Sequence, residues 1–331
     1  MNPVSEFNEL TCVVKPESPD QVDEAGYYAA NPDVKKVGMD AKEHFRIYGC
    51  LEGRIQWANE SEVKRLRERK IQSLKFRRKP AAERRHGECI NFLSQEVIDQ
   101  FQLPESPPVS ANQYAEFLNQ EFRDNPSKLF LDIGAGLRHK CFSNVVNTEI
   151  YPSISTDVLC VGEDLPFADN QFDKVISFAV LEHTRRPWQV AREMCRVLKP
   201  GGEMLIDYPF MQPVHGYPHH YFNATPQGHR SLFEEFCDIK SVEVRPNQAP
   251  IYSLFWILQL WKSGLPAADA ARFGDLRIKD ILAGDQARQA EEFYCKNLSP
   301  EIQKLIAAGS TLTGNKKTVM GCATPTAGCS S

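Results

Sequence analysis

The stretch "PVHGYPHHYFNAT" places three histidines, His215, His219 and His220, within six residues. Imidazole titrates near pH ~6.5, so such a cluster can accept a proton at neutral pH or ligate a metal. The stretch itself disfavours a metal. Pro213 and Pro218 flank it and break helical i, i+4 geometry, and no acidic or thiol ligand is close in sequence. No metal site is therefore expected. Two readings remain: a polar loop without a catalytic role, or a group that handles the proton of an acceptor. The choice turns on what the upstream sequence builds.

Upstream lies "KLFLDIGAGLRH", an apolar strand over Leu129 to Ile133 that runs into Gly134-Ala135-Gly136. Glycines there let the backbone turn sharply and approach a ligand without a Cβ in the way. A glycine-rich strand-to-helix turn is where open α/β sheets bind nucleotides. The full G-x-G-x-x-G pattern is not met, because position 139 is His139. Asp132 precedes the first glycine and is placed to meet a positively charged ligand group. Glu149 ends the next strand, "NVVNTEI", with Ile150 beside it, and an acid there suits ribose hydroxyls. Further on, Ala191, Met194, Val197 and Leu198 share one face of a helix over Trp188 to Leu198. Pro187 lies near its start, and Lys199-Pro200-Gly201-Gly202 stops it. From about residue 89 onward, short apolar runs alternate with helical stretches, the pattern of an α/β fold with a mainly parallel sheet.

Five motifs occur in order: the glycine turn, the acid at Glu149, LPF-x-D-x-x-FD-x-V over Leu165 to Val175, LEH over Leu181 to His183, and RVLKPGG over Arg196 to Gly202. With these the chain resembles the class I S-adenosylmethionine-dependent methyltransferases, in their small-molecule and sugar methyltransferase group, over roughly residues 105–320. The resemblance implies a Rossmann-like doubly wound sheet with a last strand, "GSTLTGNKK", near 309–317, and S-adenosyl-L-methionine as cofactor. It puts Asp132, Gly134, Ala135 and Gly136 around the methionine moiety, and Glu149 and Ile150 at the ribose. Glu163, Asp164 and Leu165 would edge the adenine, and Phe178 and Ala179 would lie under the sulfonium. Related enzymes carry H-x-x-P-x-DY-x-R-x-T where the histidines stand. This chain keeps His215, Pro218, Tyr221 and Thr225, but has His220 in place of the Asp and Asn223 in place of the Arg. Loops after a strand's carboxyl end face the ligand crevice. His215 is therefore expected to be the general base, with His219 or His220 orienting the acceptor.

The rest of the 331 residues sets the context. Residues 1–20 read as a flexible lead-in. Residues 21–57 read as a small helical module, with Asp40 capping a helix from Ala41 that Gly49 ends. Tyr27-Tyr28, Asn31 to Val34, His44-Phe45, Gly49 and Glu52-Gly53-Arg54 resemble a short module of bacterial surface-polysaccharide and glycosyltransferase proteins. Residues 58–88 read as a basic helix or linker, 89–320 as the methyltransferase domain and 321–331 as a flexible tail. Segment 64–85 carries a net charge of +9 against −4 for the whole chain, which leaves −13 elsewhere. A nucleic-acid partner is unlikely on that distribution, since the basic charge is one local run. Residues 21–88 are instead expected to meet a glycan-assembly protein or an anionic surface, and to be separable from cofactor binding.

The apolar run Ile251 to Trp261 is too short for a transmembrane segment, which needs ~20 residues. It reads as a buried helix, a wall of the acceptor pocket or a membrane-surface contact. Ten scattered cysteines without a CxxC, in a chain with no signal sequence, suggest free thiols and a cytoplasmic location. The expected acceptor is a hydroxyl of a sugar or glycan intermediate. A quinone or another aromatic or lipid-like molecule is the alternative, and a non-catalytic cofactor-fold scaffold is a third reading.

Overall fold

The computed structural model describes residues 7–82, 87–103, 111–216, 219–283 and 286–308. The expected strand at 309–317 and the tail lie outside them. Two compact units divide between Ser253 and Leu254.

The first unit is built on one six-stranded sheet: β1 (Ile90–Asn91), β2 (Phe130–Ile133), β3 (Val145–Glu149), β4 (Val158–Leu159), β5 (Phe172–Phe178) and β6 (Leu198–Asp207). Their spatial order is β6-β5-β2-β3-β4-β1, and every pairing is parallel. This is the expected doubly wound class. Alternation along each strand separates two buried faces. Leu131, Ile133, Val146, Val158 and Val175 face one core; Phe130, Val145 and Ile176 face the other.

Helix α6 (Pro187–Val197) covers the first face with Val190, Ala191, Met194 and Val197. Burying each of its larger side chains contributes about 1.5–3 kcal/mol. Helix α5 (Glu116–Asp124) covers the second face with Leu118 and Phe122.

The N-terminal segments depart from expectation. Residues 9–14 are not a flexible lead-in. Glu9–Thr11 pairs antiparallel with Lys140–Phe142, and Val13–Val14 pairs with Gln56–Trp57. Cys12 and Val13 are buried there with Leu66, Leu137 and Cys141. Glu9 lies 2.7 Å from Arg123 and 2.6 Å from Lys140, and these bonds, Arg123's foremost, hold its carboxyl down at about 2.

The folded chain thus favours the charged form of Glu9. Its contribution is complete above the ordinary value of 4.5 and is lost as pH falls toward about 2. Amide exchange of Glu9–Thr11, corrected for intrinsic rates, is expected to accelerate across that window. Glu9→Gln should abolish this pH dependence; an unchanged profile would remove the ion pairs from the account.

The module's signature residues are consumed by its own fold. Helices α1 (Glu24–Ala30), α2 (Pro32–Val37) and α3 (Ala41–His44) follow one another closely. Asp23 and Asp40 cap α1 and α3. The Asn31 side chain donates to the carbonyls of Tyr27 and Ile55, and Arg54 bridges Asp33 and Glu52. Tyr27 Oη lies 2.9 Å from His44 Nδ1. Gly49 does not end the helix that begins at Ala41: the chain continues helically to Glu52. A Cβ on Gly49 would lie 2.3 Å from Tyr27 Oη, so its role is close packing.

Helix α4 (Glu60–Ser73) corrects the reading of the basic segment. Arg67 and Lys70 are buried, together with Val63, Leu66 and Ile71. Lys70 Nζ donates to Asp157 at 2.5 Å and to the Val145 carbonyl at 2.8 Å. Arg67 donates to the carbonyls of Gly87 and Ile154. Two of the run's eleven basic side chains, Arg67 and Lys70, are thus spent inside the fold, where they anchor α4 to the sheet.

The second unit has its own small core of Leu265, Phe273 and Tyr294, with Trp261 donating to the Tyr294 carbonyl at 2.6 Å. The described part of the expected 89–320 domain falls in both compact units. Helix α7 (Pro250–Ser263) holds the apolar run, yet none of its residues is buried, and Ile251, Tyr252, Leu254 and Phe255 are exposed. Among the described residues no helix is long and apolar enough to cross a membrane.

Candidate active site

The carboxyl ends of β2, β3, β5 and β6 converge, and the chain leaves β2 through Gly134-Ala135-Gly136. Gly134 and Gly136 have φ of 64° and 66°. A Cβ on Gly134 would sit 2.5 Å from Val180 Cγ2, so both conformation and space require glycine. The Ala135 N–H donates to the Thr148 carbonyl at 3.0 Å and ties the turn to β3. No helix follows, contrary to expectation. Leu137–Arg138 pairs with Ala111–Asn112, and Lys140–Phe142 turns the chain back into β3. The β2–β3 connection thus crosses between parallel strands without a helix, over residues 134–144.

Asp132 is fully buried. Its Oδ2 accepts from Tyr114 Oη at 2.7 Å and Arg138 Nε at 2.9 Å, and the Arg138 guanidinium lies 4.3 Å from the Tyr114 ring centroid. Burial pushes its carboxyl up despite the opposing Arg138 charge. Oδ1 has no hydrogen-bond partner among the described residues. Sequence reasoning missed Tyr114 and Arg138, which neutralise this acid from within.

Glu149 sits at the end of β3 beside the glycine turn. Burial raises its carboxyl to about 7, while the amides of Ile150, Gly136 and Tyr151 pull it down. Asp132, the glycine turn, Glu149 and Ile150 therefore share one corner.

The three residues matched to the adenine edge are engaged elsewhere. Glu163 is buried and accepts from the Arg185 N–H at 3.1 Å, just before α6. Asp164 pairs with Arg77, and with Arg78 at 2.7 Å. Leu165 is core, its N–H donating to Glu193 at 2.9 Å.

Phe178 ends β5, and Ala179 adopts φ of 54° with its N–H on the Asp207 carbonyl. A left-handed alanine costs about 1–3 kcal/mol, strain of the kind that gathers at functional sites.

Only one of the three predicted histidines lies at the centre of a cluster. His215 Nε2 is 3.9 Å from Glu182 Oε1, and His183 Nε2 is 3.7 Å from the same oxygen. Glu182 and His183 belong to LEH, in a single 3₁₀ turn after β5. Glu182 is fully exposed to neither solvent nor donors: it is buried, both carboxyl oxygens lack a hydrogen-bond partner among the described residues, and burial pushes it up to about 8. Burial also pushes His183 down to about 4 and lowers His215.

The His220 ring packs against His215, with the two Nδ1 atoms 3.1 Å apart. Its Nδ1 accepts from the His215 N–H at 3.2 Å, and its Nε2 lies 2.8 Å from Asn223 Oδ1. The His219 ring points to the Gln102 carbonyl at 3.4 Å, while its own carbonyl holds His183 Nδ1 at 2.7 Å. Thr225 caps a short helix, and Pro218 lies outside the described residues. The expectation that no acid stands near the histidines is overturned in space. The Tyr221 N–H donates to the Glu182 carbonyl at 2.7 Å and folds the loop onto LEH.

Comparison with known proteins agrees on the core. An uncharacterized methyltransferase of Mycobacterium tuberculosis is 51% identical over 47 residues, 14% of this chain and 18% of that one. One from Mycobacterium leprae is 42% identical over 59 residues, 18% of this chain and 22% of that one. The chain thus spans less than a quarter of the length of these curated relatives. Among solved structures, YcgJ of Bacillus subtilis overlaps 48% of this chain and 88% of its own at 15% identity and a TM-score of 0.30. A Haemonchus contortus phosphoethanolamine N-methyltransferase with S-adenosylhomocysteine overlaps 57% and 48% at 16% identity and a TM-score of 0.31. Both overlaps are too loose to carry weight. The model of the methyltransferase domain family matches residues 131–206, from β2 to the end of β6.

Proposed function

We propose that the chain is an S-adenosyl-L-methionine-dependent methyltransferase that O-methylates a sugar or surface-glycan intermediate. One observation carries this reading: the glycine turn with Glu149 and the Glu182–His183–His215 cluster stand together at the carboxyl ends of one sheet. Val180, which leads into LEH, touches Gly134. The residues fit the cofactor. Gly134 turns in the left-handed region against Val180, where no side chain fits, and the orphaned Asp132 Oδ1 is suited to an ammonium group. When bound, the cofactor supplies an electrophilic methyl group on a sulfonium.

Glu149 accepts from the ribose hydroxyls, and Ile150 adjoins them. Phe178 and Ala179 line the floor below the reacting centre. His215 carries the activation of the acceptor hydroxyl, held in place by the Pro213 carbonyl and by His220. The sugar assignment draws on the N-terminal module, with a glycan-assembly protein as its partner and the cytoplasm as its location. The exposed apolar residues of α7 favour a lipid-like or quinone acceptor as a second reading.

The test is incubation with S-adenosyl-L-methionine and a panel of nucleotide sugars, glycan oligomers and quinones, read by mass spectrometry for one added methyl group. Calorimetry checks the cofactor half alone. Each charge-assisted bond to a ribose hydroxyl contributes about 1.5–3 kcal/mol, so Glu149→Ala should weaken S-adenosyl-L-methionine binding at least about tenfold. Unchanged affinity would remove Glu149 from the site.

A further inference from the structure

A cofactor laid along the carboxyl ends of this sheet runs in strand order. Its methionine end meets the glycine turn after β2, and its ribose meets Glu149 at the end of β3. The base then falls beside β4, the next strand in the sheet. Leu159 of β4 pairs with Glu149, and the Cys160 N–H donates to the Glu149 carbonyl at 3.0 Å. Two residues further on, Gly162–Asp164 form a 3₁₀ turn. The Asp164 side chain keeps 35% of its surface exposed there, open to a ligand.

What fixes this turn comes from outside residues 131–206. Residues 75–78 follow α4 and run antiparallel to residues 166–168. The Arg77 N–H donates to the Pro166 carbonyl at 2.8 Å, and the Ala168 N–H to the Lys75 carbonyl at 2.9 Å. Phe76 packs against Phe92 and Phe167, with ring centroids 5.1 and 5.8 Å away. This anchors the two guanidinium groups that follow. Arg78 Nη1 lies 2.7 Å from Asp164 Oδ2, and its Nη2 donates to the Asp164 carbonyl at 2.9 Å. Arg77 pairs with Asp164 Oδ1 and also reaches Glu193 of α6 at 2.9 Å.

We propose that Arg77 and Arg78 are positioning residues of the cofactor site, which hold the Asp164 carboxylate where it accepts from the exocyclic amine of adenine. This rests on the reading of the chain as an S-adenosyl-L-methionine-dependent enzyme. An ionised carboxylate offers about four lone-pair sites, and the arginines take one on each oxygen. The others stay open to the amine. Held in this way, Asp164 does not have to be ordered when the base arrives, so less affinity is lost to that ordering. Arginine suits the task because one planar fork grips both the side chain and the carbonyl of the same residue. The N-terminal part expected to be separable from cofactor binding thus supplies a piece of that site.

The experiment uses the full chain and calorimetry with two ligands. One is S-adenosyl-L-homocysteine; the other is its 6-deamino analogue, in which hydrogen replaces the amine. The unmodified chain should bind the first at least about tenfold more tightly, since a charged acceptor otherwise loses its donor. Arg77→Ala combined with Arg78→Ala should weaken S-adenosyl-L-homocysteine about tenfold and bring the ratio of the two affinities to within about threefold of one. General loosening of the fold would weaken both ligands alike and keep the ratio. Arg78→Lys keeps the charge without the fork and should lower the ratio about threefold. Arg65→Ala, on an exposed pair with Glu62, should change neither affinity.

Thermal melting checks that each variant is folded, and if the double variant is not, Arg78→Lys alone decides. An unmodified chain that binds both ligands equally would overturn the inference and leave cofactor binding standing. So would folded variants that keep the original ratio. Failure of the unmodified chain to bind either ligand would sink the proposed function, and this inference with it.

Discussion

Replacing His215 with alanine is expected to lower kcat for methyl transfer by about 10²- to 10⁴-fold, the range a positioned proton-handling group supplies. That corresponds to about 3–5 kcal/mol of barrier. S-adenosyl-L-methionine affinity should stay within about twofold. His215 sits on the loop after β6 and reaches Pro213, Glu182 and His220, whereas the cofactor corner is built from β2 and β3. His220→Ala should act more weakly, because it removes the support of the His215 backbone N–H and ring rather than the proton-handling group itself. Its effect on kcat should vanish in a His215→Ala background, which single-turnover kinetics on the double variant would show. Near-normal kcat in His215→Ala would take the cluster out of the reaction.

The second large effect concerns stability. Lys70→Met should lower the unfolding free energy by about 3 kcal/mol, because removing one partner of a buried pair strands the other charge. Asp157 would keep the Asn147 N–H at 2.9 Å and Arg67 at 3.8 Å, so the loss falls at the low end for such pairs. For a unit of this size it should appear as a drop in Tm of about 6–12 °C by calorimetry. Lys70→Met combined with Asp157→Leu should recover most of the loss, since no charge is then buried alone. Lys64→Met, on the exposed side of α4, should stay within about 0.5 kcal/mol. Equal effects at positions 64 and 70 would mean that the buried pair is not what holds α4. By the same logic, a chain starting at residue 89 should not fold, because Leu66, Ile71 and Leu74 belong to the cores that cover the sheet.

The elements that were legible are those whose local pattern matches their final environment. "LFLDI" and "FDKVISF" are buried on both faces, and the α6 stripe at Val190, Ala191, Met194 and Val197 follows helical spacing. Arg67 and Lys70 were misread because a run of like charges ordinarily lies in water. Only the fold supplies the partners at Asp157 and Ile154. The missing helix after Gly136 left no cue, since a glycine turn reads the same before a helix or a strand. Glu182 was visible as part of LEH, but an acid next to one histidine acquires meaning only when a loop about thirty residues later returns a second.

The burial of α4 against the sheet sets an order of events as the chain is made. Lys70 meets Asp157 and Arg67 meets Ile154 across 87 residues, and Glu9 meets Arg123 across 114. At roughly 5–20 residues per second, the 87-residue wait lasts about 4–17 s. Through that interval Val63, Leu66 and Ile71 have no sheet to cover. The N-terminal segments therefore act as a late clasp on a sheet that must assemble first. During synthesis this apolar stripe is the surface most in need of a chaperone's shelter.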